Sequence, residues 1–424
     1  MTMNIYNRFG VRTVVNVTGT VTRLGGAHME KETLDAIWEA GQYSVCLEEL
    51  QAAANQVISR LTHAEAGIVT AGASAALTLA TAACICDLDV AKMNRLPDTS
   101  KMPNEVIKPW HQISGFDHAI RAAGAELIGV GIPNSTTPPH EVHIIRPRDI
   151  ETAISEQTVA IAYAARAESH PPLEEVIALG RRYGIPVIVD AAAQIPPVEN
   201  LHRFIDLGAD LVCISGGKGI RGPQNTGILC GRSDLVASAA LQMLDMAVGS
   251  FDAWQPPASL IPKTKLKGVP EHGIGRSMKV SKEAIIGLLV ALERLAADGF
   301  ADRAAFLRTL LIGVGDRIQD VPGVRLQITE DYPGAYPMLE ITIDEQKLGK
   351  SATDVSKQLK LQGIYPRDRY LHRGIVAIHS LNLDTETANL VSKHLAAIIR
   401  EDRRFFLAGE SPAFCYGRLQ QDCV

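Results

Sequence analysis

From about residue 60 the chain alternates short, almost wholly apolar runs with stretches of helical periodicity. That rhythm restricts the fold to a mainly parallel sheet flanked by helices, because parallel neighbours need a crossover and the crossover helix covers a sheet face. Strands are predicted at Gly67–Thr70, Val106–Pro109, Glu126–Val130, Val159–Tyr163, Val187–Asp190, Leu211–Ile214 and Gly227–Cys230. Helices are predicted near Ser74–Cys86, Phe116–Ala123, Ile150–Ser155 and Leu173–Tyr183. Strands this uniformly apolar suit a sheet buried on both sides. The polar run Asp87–Glu105, with two prolines, breaks the rhythm and is expected to be a surface loop.

A second pattern begins after Trp254-Gln255-Pro256-Pro257. Ser281 is placed to cap a long helix through Ala297. Strands are then predicted at Val324–Ile328, Met338–Ile343 and Ile375–His379, with helices over Ala352–Leu361 and from Thr385 to about Arg400. The expected fold class is therefore α/β, with a large domain over residues 60–260 and a small C-terminal α+β domain over 261–424. Residues 1–59 form an N-terminal segment and helix.

With 46% hydrophobic residues in 424, the chain has ample material for such a core, as a compact soluble enzyme would. A formal net charge of −5 offers no basic surface for a phosphate backbone, so no nucleic-acid partner is expected. Seven cysteines form no spaced framework, and Cys84-x-Cys86 is too close for a zinc knuckle. Reduced thiols in the cytoplasm are the expectation. The N-terminus has no basic stretch followed by an apolar one, and no apolar run reaches the roughly 18 residues of a membrane helix.

Lys218 lies in Ser215-Gly216-Gly217-Lys218-Gly219-Ile220-Arg221-Gly222-Pro223-Gln224, just after a predicted strand, where glycines let the backbone approach a flat ligand. Asp190 ends the apolar run Val187-Ile188-Val189, at the carboxyl edge where open α/β sheets bind ligands. Alone, the lysine reads as a solvated side chain and the aspartate as a turn cap. Together they meet two demands of pyridoxal 5'-phosphate: an amine to hold its aldehyde as a Schiff base, and a carboxylate to keep its ring nitrogen protonated. A third demand is for phosphate donors. Gly72, Ala73 and Ser74 join a strand to a helix whose first N–H groups are free, and Ser215 offers a hydroxyl.

Gly217-x-Gly219-x-x-Gly222 matches a dinucleotide fingerprint, but Pro223 and a strand follow where a helix is required. The twelve histidines, including His140-x-x-His143 and His111 with His118, show no metal-ligand spacing on a helix, so no metal is expected.

In these motifs the chain resembles fold-type-I pyridoxal-phosphate enzymes of the aspartate aminotransferase-like kind. More narrowly it resembles the selenocysteine synthase-like family, in the branch that includes D-glucosaminate-6-phosphate ammonia lyase. Val15-Asn16-Val17-Thr18-Gly19-Thr20, Arg121–Gly131 and Ser215–Ile228 carry the likeness, which spans roughly residues 12 to 400. Selenocysteine synthase has a tRNA-binding domain ahead of the Asn-x-Thr-Gly stretch, whereas fifteen residues precede Asn16 here. A small amino acid or amino sugar acid is therefore the expected substrate.

The resemblance implies that Lys218 serves as anchor and as base, that Asp190 supports the ring, and that water is expelled from Cβ to leave a 2-oxo acid and ammonia. It implies a ring at His111 stacked on the cofactor, with Trp110 as the rival. It also implies a carboxylate-binding arginine among Arg367, Arg369 and Arg373, with Arg373 first. Asn16, Thr20 and Arg23 are expected to reach the active site from the N-terminal segment, which also contributes to a homodimer or higher homo-oligomer. Racemisation, retro-aldol cleavage and transamination start from the same lysine. A tRNA-dependent selenium transferase and a non-catalytic cofactor-binding protein are the readings from other classes.

Overall fold

The computed structural model describes residues 4–131, 145–298 and 300–400; His140 and His143 lie outside them. Its strands in chain order are β1 (Val15–Val17), β2 (Ala66–Thr70), β3 (Glu105–Pro109), β4 (Glu126–Val130), β5 (Thr158–Ala164), β6 (Val187–Asp190), β7 (Leu211–Ser215), β8 (Gly227–Gly231), β9 (Val324–Thr329), β10 (Met338–Ile343), β11 (Ile364–Pro366) and β12 (Ile375–His379). Two compact units divide the chain: His28–Gly299, and Met1–Ala27 with Phe300–Val424.

The larger unit holds a seven-stranded sheet in the order β2-β8-β7-β6-β5-β3-β4. Strands β3 to β7 pair in parallel with one another, and β8 runs antiparallel to both β7 and β2. Two apolar cores explain why the predicted strands are apolar at every position. Ile68, Val106, Ile188, Leu211 and Cys213 face one core. Val69, Ile107, Val187, Val189, Val212 and Ile214 face the other. The helix Ala73–Cys86 lies in the first core, and its residues from Ala75 onward are buried on every side. Such a helix has no polar stripe, which fits one sandwiched between a sheet and further helices.

Edge strand β2 would expose unpaired backbone on its outer side. The helix Leu47–Thr62 covers it with two buried amides. Gln51 accepts from Val69 N–H at 3.0 Å and donates to Val69 C=O at 2.8 Å. Asn55 accepts from Gly67 N–H at 2.8 Å.

The sequence places the small domain from residue 261, whereas the compact units divide at 299/300. The helix Lys282–Asp298 keeps the intervening stretch with the large sheet. Its Ile285, Leu288 and Leu292 join the second core, and a Cβ at Gly287 would press within 2.7 Å of the Ile37 side chain. Ser281 caps the helix as expected, accepting from Ala284 N–H at 3.2 Å. Within Asp87–Glu105, predicted as a loop, Val90–Arg95 is helical. Asp89 starts it by accepting from Ala91 and Lys92 N–H, and Met93 anchors it in the core.

In the other unit, β9, β10 and β12 form an antiparallel sheet in the order β12-β10-β9, and β1 pairs in parallel with β11. The helices Ala301–Gly315 and Thr385–Ile399 pack together, with Ser392 Oγ donating to the Gly313 and Val314 carbonyls. This is the expected α+β pattern. Among the described residues no helix is long and apolar enough to cross a membrane.

Replacing Gln51 by Leu should leave the Val69 N–H and C=O buried without partners. We expect a loss on the order of 2–4 kcal/mol, read as a lower urea midpoint. An unchanged midpoint would show that the edge does not depend on this side chain.

Candidate active site

Strand register brings the proposed site residues to one edge of the sheet. Ala164 pairs with Asp190, Asp190 with Cys213, Ser215 with Gly227, and Gly227 with Thr70. The carboxyl ends of β5, β6, β7 and β2 therefore stand side by side, and Lys218, Asp190, Ser215 and the Gly72–Ser74 turn all follow from them.

Lys218 sits on a loop with almost no room for side chains. A Cβ at Gly216 would collide with the Thr226 hydroxyl, one at Gly217 with the Gln224 backbone, and one at Gly219 with the Ile195 carbonyl. The loop is closed by Gly216 N–H to Thr226 C=O and Gly222 N–H to Gly216 C=O, both at 2.9 Å. Arg221 takes a left-handed turn at φ 63° and reaches out of the loop, donating to the His28 carbonyl and pairing with Glu30. Among the described residues nothing hydrogen-bonds to or pairs closely with the Lys218 ammonium. Burial pushes its pKa down, and the Asp190 carboxylate pulls it partly back. A desolvated lysine that is more readily neutral is what imine chemistry requires.

Asp190 is half-buried, and Ala192 N–H donates to its Oδ1 at 3.1 Å. That bond fixes the carboxylate while the second oxygen carries no hydrogen bond among the described residues. Beneath it, burial and the Asp190 charge push the Cys213 thiol well up, so this sulfur is inert packing.

The helix Ala73–Cys86 begins without a side-chain cap. Gly72 takes φ 100°, and the space where its Cβ would stand is open. Gly227, opposite, must be glycine because a Cβ there would strike Gly72 and Ala73 N. Uncapped amides above an open cradle are the donor set for a phosphate. Orphaned lysine, oriented carboxylate and open cradle thus fit pyridoxal phosphate, which would be held at Lys218, Asp190 and Gly72–Ser74. Ser215, half-buried at the end of β7, has no side-chain hydrogen bond among the described residues and is available to the same anion.

Histidine and tryptophan separate at the end of β3. The Trp110 ring lies against Gly129 of β4, where a Cβ would press within 2.8 Å of its indole nitrogen. His111 instead turns toward the end of β5, its Nε2 accepting from His170 N–H at 3.1 Å. That bond requires a lone pair on Nε2, so the ring is neutral with its proton on Nδ1. Burial, with the charges of His170 and Arg166, lowers its pKa further. Gln112 fixes the turn, accepting from Ala164 N–H at 2.8 Å. The buried pair of Lys108 and Asp117 ties the same turn down, while Asp117 accepts from Ser114 N–H at 2.7 Å.

Asn16, Thr20, Arg23, Arg367, Arg369 and Arg373 belong to the other unit. Asn16 is buried and committed to backbone: its amide donates to Gly19 and Gly26 carbonyls at 3.0 and 3.2 Å, and its oxygen accepts from Thr18 N–H. It shapes the turn that carries Thr20 and the exposed Arg23. Arg367 is clamped on both carboxylate oxygens of Asp331 at 2.8 and 3.1 Å. Arg369 and Arg373 are exposed, with guanidinium carbons 5.7 and 5.5 Å from the Tyr370 ring centre. Of the three arginines, these two keep their donors available.

Sequence reasoning missed Gln112, Gly227 and the Lys108–Asp117 pair. A lysine inside the apolar run Val106-Ile107-Lys108-Pro109 was the available signal, since a charge in a buried strand demands a partner.

The sequence profile of the aminotransferase class-V family matches residues 135–364, and that of the DegT/DnrJ/EryC1/StrS aminotransferase family matches residues 27–215. The chain is 29% identical to a 5'-C-glycyluridine monooxygenase-decarboxylase from a Streptomyces species, covering 93% of this chain and 92% of that protein. It is also 29% identical to D-glucosaminate-6-phosphate ammonia lyase of Salmonella typhimurium, covering 89% and 93%. A solved structure of a D-glucosaminate-6-phosphate ammonia-lyase matches with a TM-score of 0.76 at 26% identity, over 95% of this chain and 99% of that one. With an L-seryl-tRNA(Sec) selenium transferase of Geobacter metallireducens the identity is 24%, over 92% and 84%. The fold is accordingly fold type I, as the sequence motifs imply. The chain is a pyridoxal 5'-phosphate enzyme and belongs to the aminotransferase class-V family.

Proposed function

We propose that the chain is a pyridoxal-phosphate-dependent lyase acting on a small β-hydroxy amino acid or amino sugar acid. The observation that carries this reading is the half-buried Lys218 beside Asp190, with no hydrogen-bond or ion-pair partner among the described residues, in a chain that aligns over nearly its whole length with an ammonia lyase. The overall change is R-CHOH-CH(NH3+)-COO⁻ to R-CH2-CO-COO⁻ and ammonium: water leaves from Cβ, and water returns when the released enamine hydrolyses.

When bound, pyridoxal phosphate supplies an aldehyde for the substrate amine and a protonated ring that accepts the electron pair left at Cα. Lys218 Nζ would hold the cofactor and, as the free amine, would receive the Cα proton of the substrate. Its lowered pKa favours the neutral amine needed for both tasks. Asp190 opposes the charge on the ring nitrogen through its free oxygen. Gly72, Ala73, Ser74 and Ser215 would hold the phosphate, and His111, held neutral by His170 N–H, would lie beside the ring. Arg373 or Arg369 binds the substrate carboxylate as a bidentate donor, and Thr20 and Arg23 serve the same substrate end. The proposal leaves Arg367 with Asp331, and Asn16 with its turn.

A second reading has its own support, since the monooxygenase-decarboxylase matches at equal identity and comparable coverage. The same lysine and aspartate would then serve loss of CO2 from Cα in the presence of O2. Product analysis distinguishes the two. Incubating the loaded enzyme with β-hydroxy amino acids and amino sugar acids, phosphorylated and not, should release ammonia and a 2-oxo acid in equal amounts without O2 uptake. O2 uptake with CO2 release would favour the second reading and contradict the first.

We further propose a homodimer or larger homo-oligomer. Trp38 is 73% exposed and Tyr43 63% exposed, with Leu34, Val45 and Leu47 exposed close by in sequence. Exposed apolar side chains concentrated in one segment favour a contact surface. We also place the protein in a reducing cytosol, consistent with its free cysteines, four of the five among the described residues being buried.

Asp190→Asn should keep the cofactor but lower kcat on the order of 10²–10³-fold, because a neutral amide cannot hold the ring charge. Unaltered turnover would reject the role. Light scattering should give at least twice the mass of one chain; a monomer would contradict the oligomer.

A further inference from the structure

His63, His202 and Asp206 form a cluster with no part in the cofactor site. His63 ends the helix Leu47–Thr62 in a left-handed turn at φ 57°. His202 and Asp206 lie one turn apart on the helix Asn200–Asp206, so both side chains share a face. His63 Nδ1 is 2.8 Å from Asp206 Oδ1, and His202 Nδ1 is 2.6 Å from Asp206 Oδ2. The imidazoles stack with centroids 4.3 Å apart and 26° between their planes. Each residue offers one ligand atom, and the three atoms lie within 4.8 Å of one another.

Two imidazole nitrogens and a carboxylate are the donors that Zn²⁺ and neighbouring borderline ions prefer. Tetrahedral bonds of about 2.0–2.2 Å put adjacent donors roughly 3.3–3.6 Å apart, so modest rotations of these side chains admit an ion. Their exposure, 54% for His63, 35% for His202 and 46% for Asp206, leaves space for water to complete the coordination. Two of the three ligands are fixed by one helix and the third by the end of another.

We propose that His63, His202 and Asp206 form a site for a divalent transition-metal ion, with Zn²⁺ as its representative. The site lies at the sheet edge opposite the cofactor. Ala66 and Leu211 both pair with Gly231, so β2 and β7 begin there, whereas Lys218 and Asp190 follow the strands' carboxyl ends. An ion at His63 touches no reacting atom. It clips the helix Leu47–Thr62 to the helix Asn200–Asp206 and stabilises the folded chain by mass action. On coordination each imidazole passes its Nδ1 proton to solvent or to Nε2, and the Asp206 carboxylate stays ionised. The proposal is independent of the reaction the enzyme catalyses.

The test uses cofactor-loaded protein, freed of metals with a chelator and titrated with Zn²⁺ alone by calorimetry and in thermal melts. One equivalent should bind with an upward shift in Tm. H63A, H202A and D206N should each weaken binding by at least the roughly tenfold that loss of even an outer partner of a ligand costs. They should abolish the shift while leaving cofactor absorbance and turnover intact. Co²⁺ should give visible ligand-field bands in the wild type and none in the H63A/H202A double variant. Failure to bind, or binding unchanged in all three single variants, would overturn the proposal and leave a hydrogen-bonded cluster only.

Discussion

The site depends on the opposition between burial and charge at Lys218. Removing an ammonium from water costs several kcal/mol unless something compensates. Asp190 supplies part of the compensation, and the remainder appears as a pKa lowered from the ordinary lysine value. The balance is useful only if the two groups stay near each other without forming a closed ion pair that would consume both. Register achieves this: Asp190 ends β6 opposite Cys213 of β7, and Lys218 lies farther along the loop that leaves β7.

Close backbone contacts hold that arrangement. Gly216, Gly217 and Gly219 let the lysine loop pack against Thr226, Gln224 and Ile195, and Gly227 lets β8 approach the Gly72–Ala73 turn. The Gly72–Ala73 turn and the lysine loop are thereby fixed to the same pair of strands, β7 and β8. On the far side, Gln112 and the Lys108–Asp117 pair seat His111 against the end of β5. A buried ion pair is a costly way to fix a turn, since its desolvation is repaid only by near-ideal geometry. Here it fixes the turn on which His111 is carried.

Much of this was legible in the sequence. Strands β4, β6, β10 and β12 and the helices Leu173–Tyr183 and Ala352–Leu361 fall where apolar runs and turn residues place them. Asp190, Lys218 and the Gly72 turn come to one edge because parallel strands put all their carboxyl ends together. What stayed hidden was long-range. Gly227 owes its identity to Gly72, which precedes it by most of the sheet, and no local pattern announces that contact. The separation of Trp110 from His111 depends on Gly129, a strand away. The unit boundary at 299/300 was obscured because Lys282–Asp298 packs against Ile37, far earlier in the chain. Helix Val90–Arg95 is short and depends on its Asp89 cap and on Met93, so its polar composition resembled a loop.

Borohydride reduction of the loaded enzyme, followed by proteolysis and mass spectrometry, tests the central claim most directly, because it converts the imine linkage into a permanent bond on whichever amine made it. The account predicts a single phosphopyridoxyl adduct, on the peptide containing Lys218. An adduct on another lysine, or none in a protein that retains its cofactor, would contradict it.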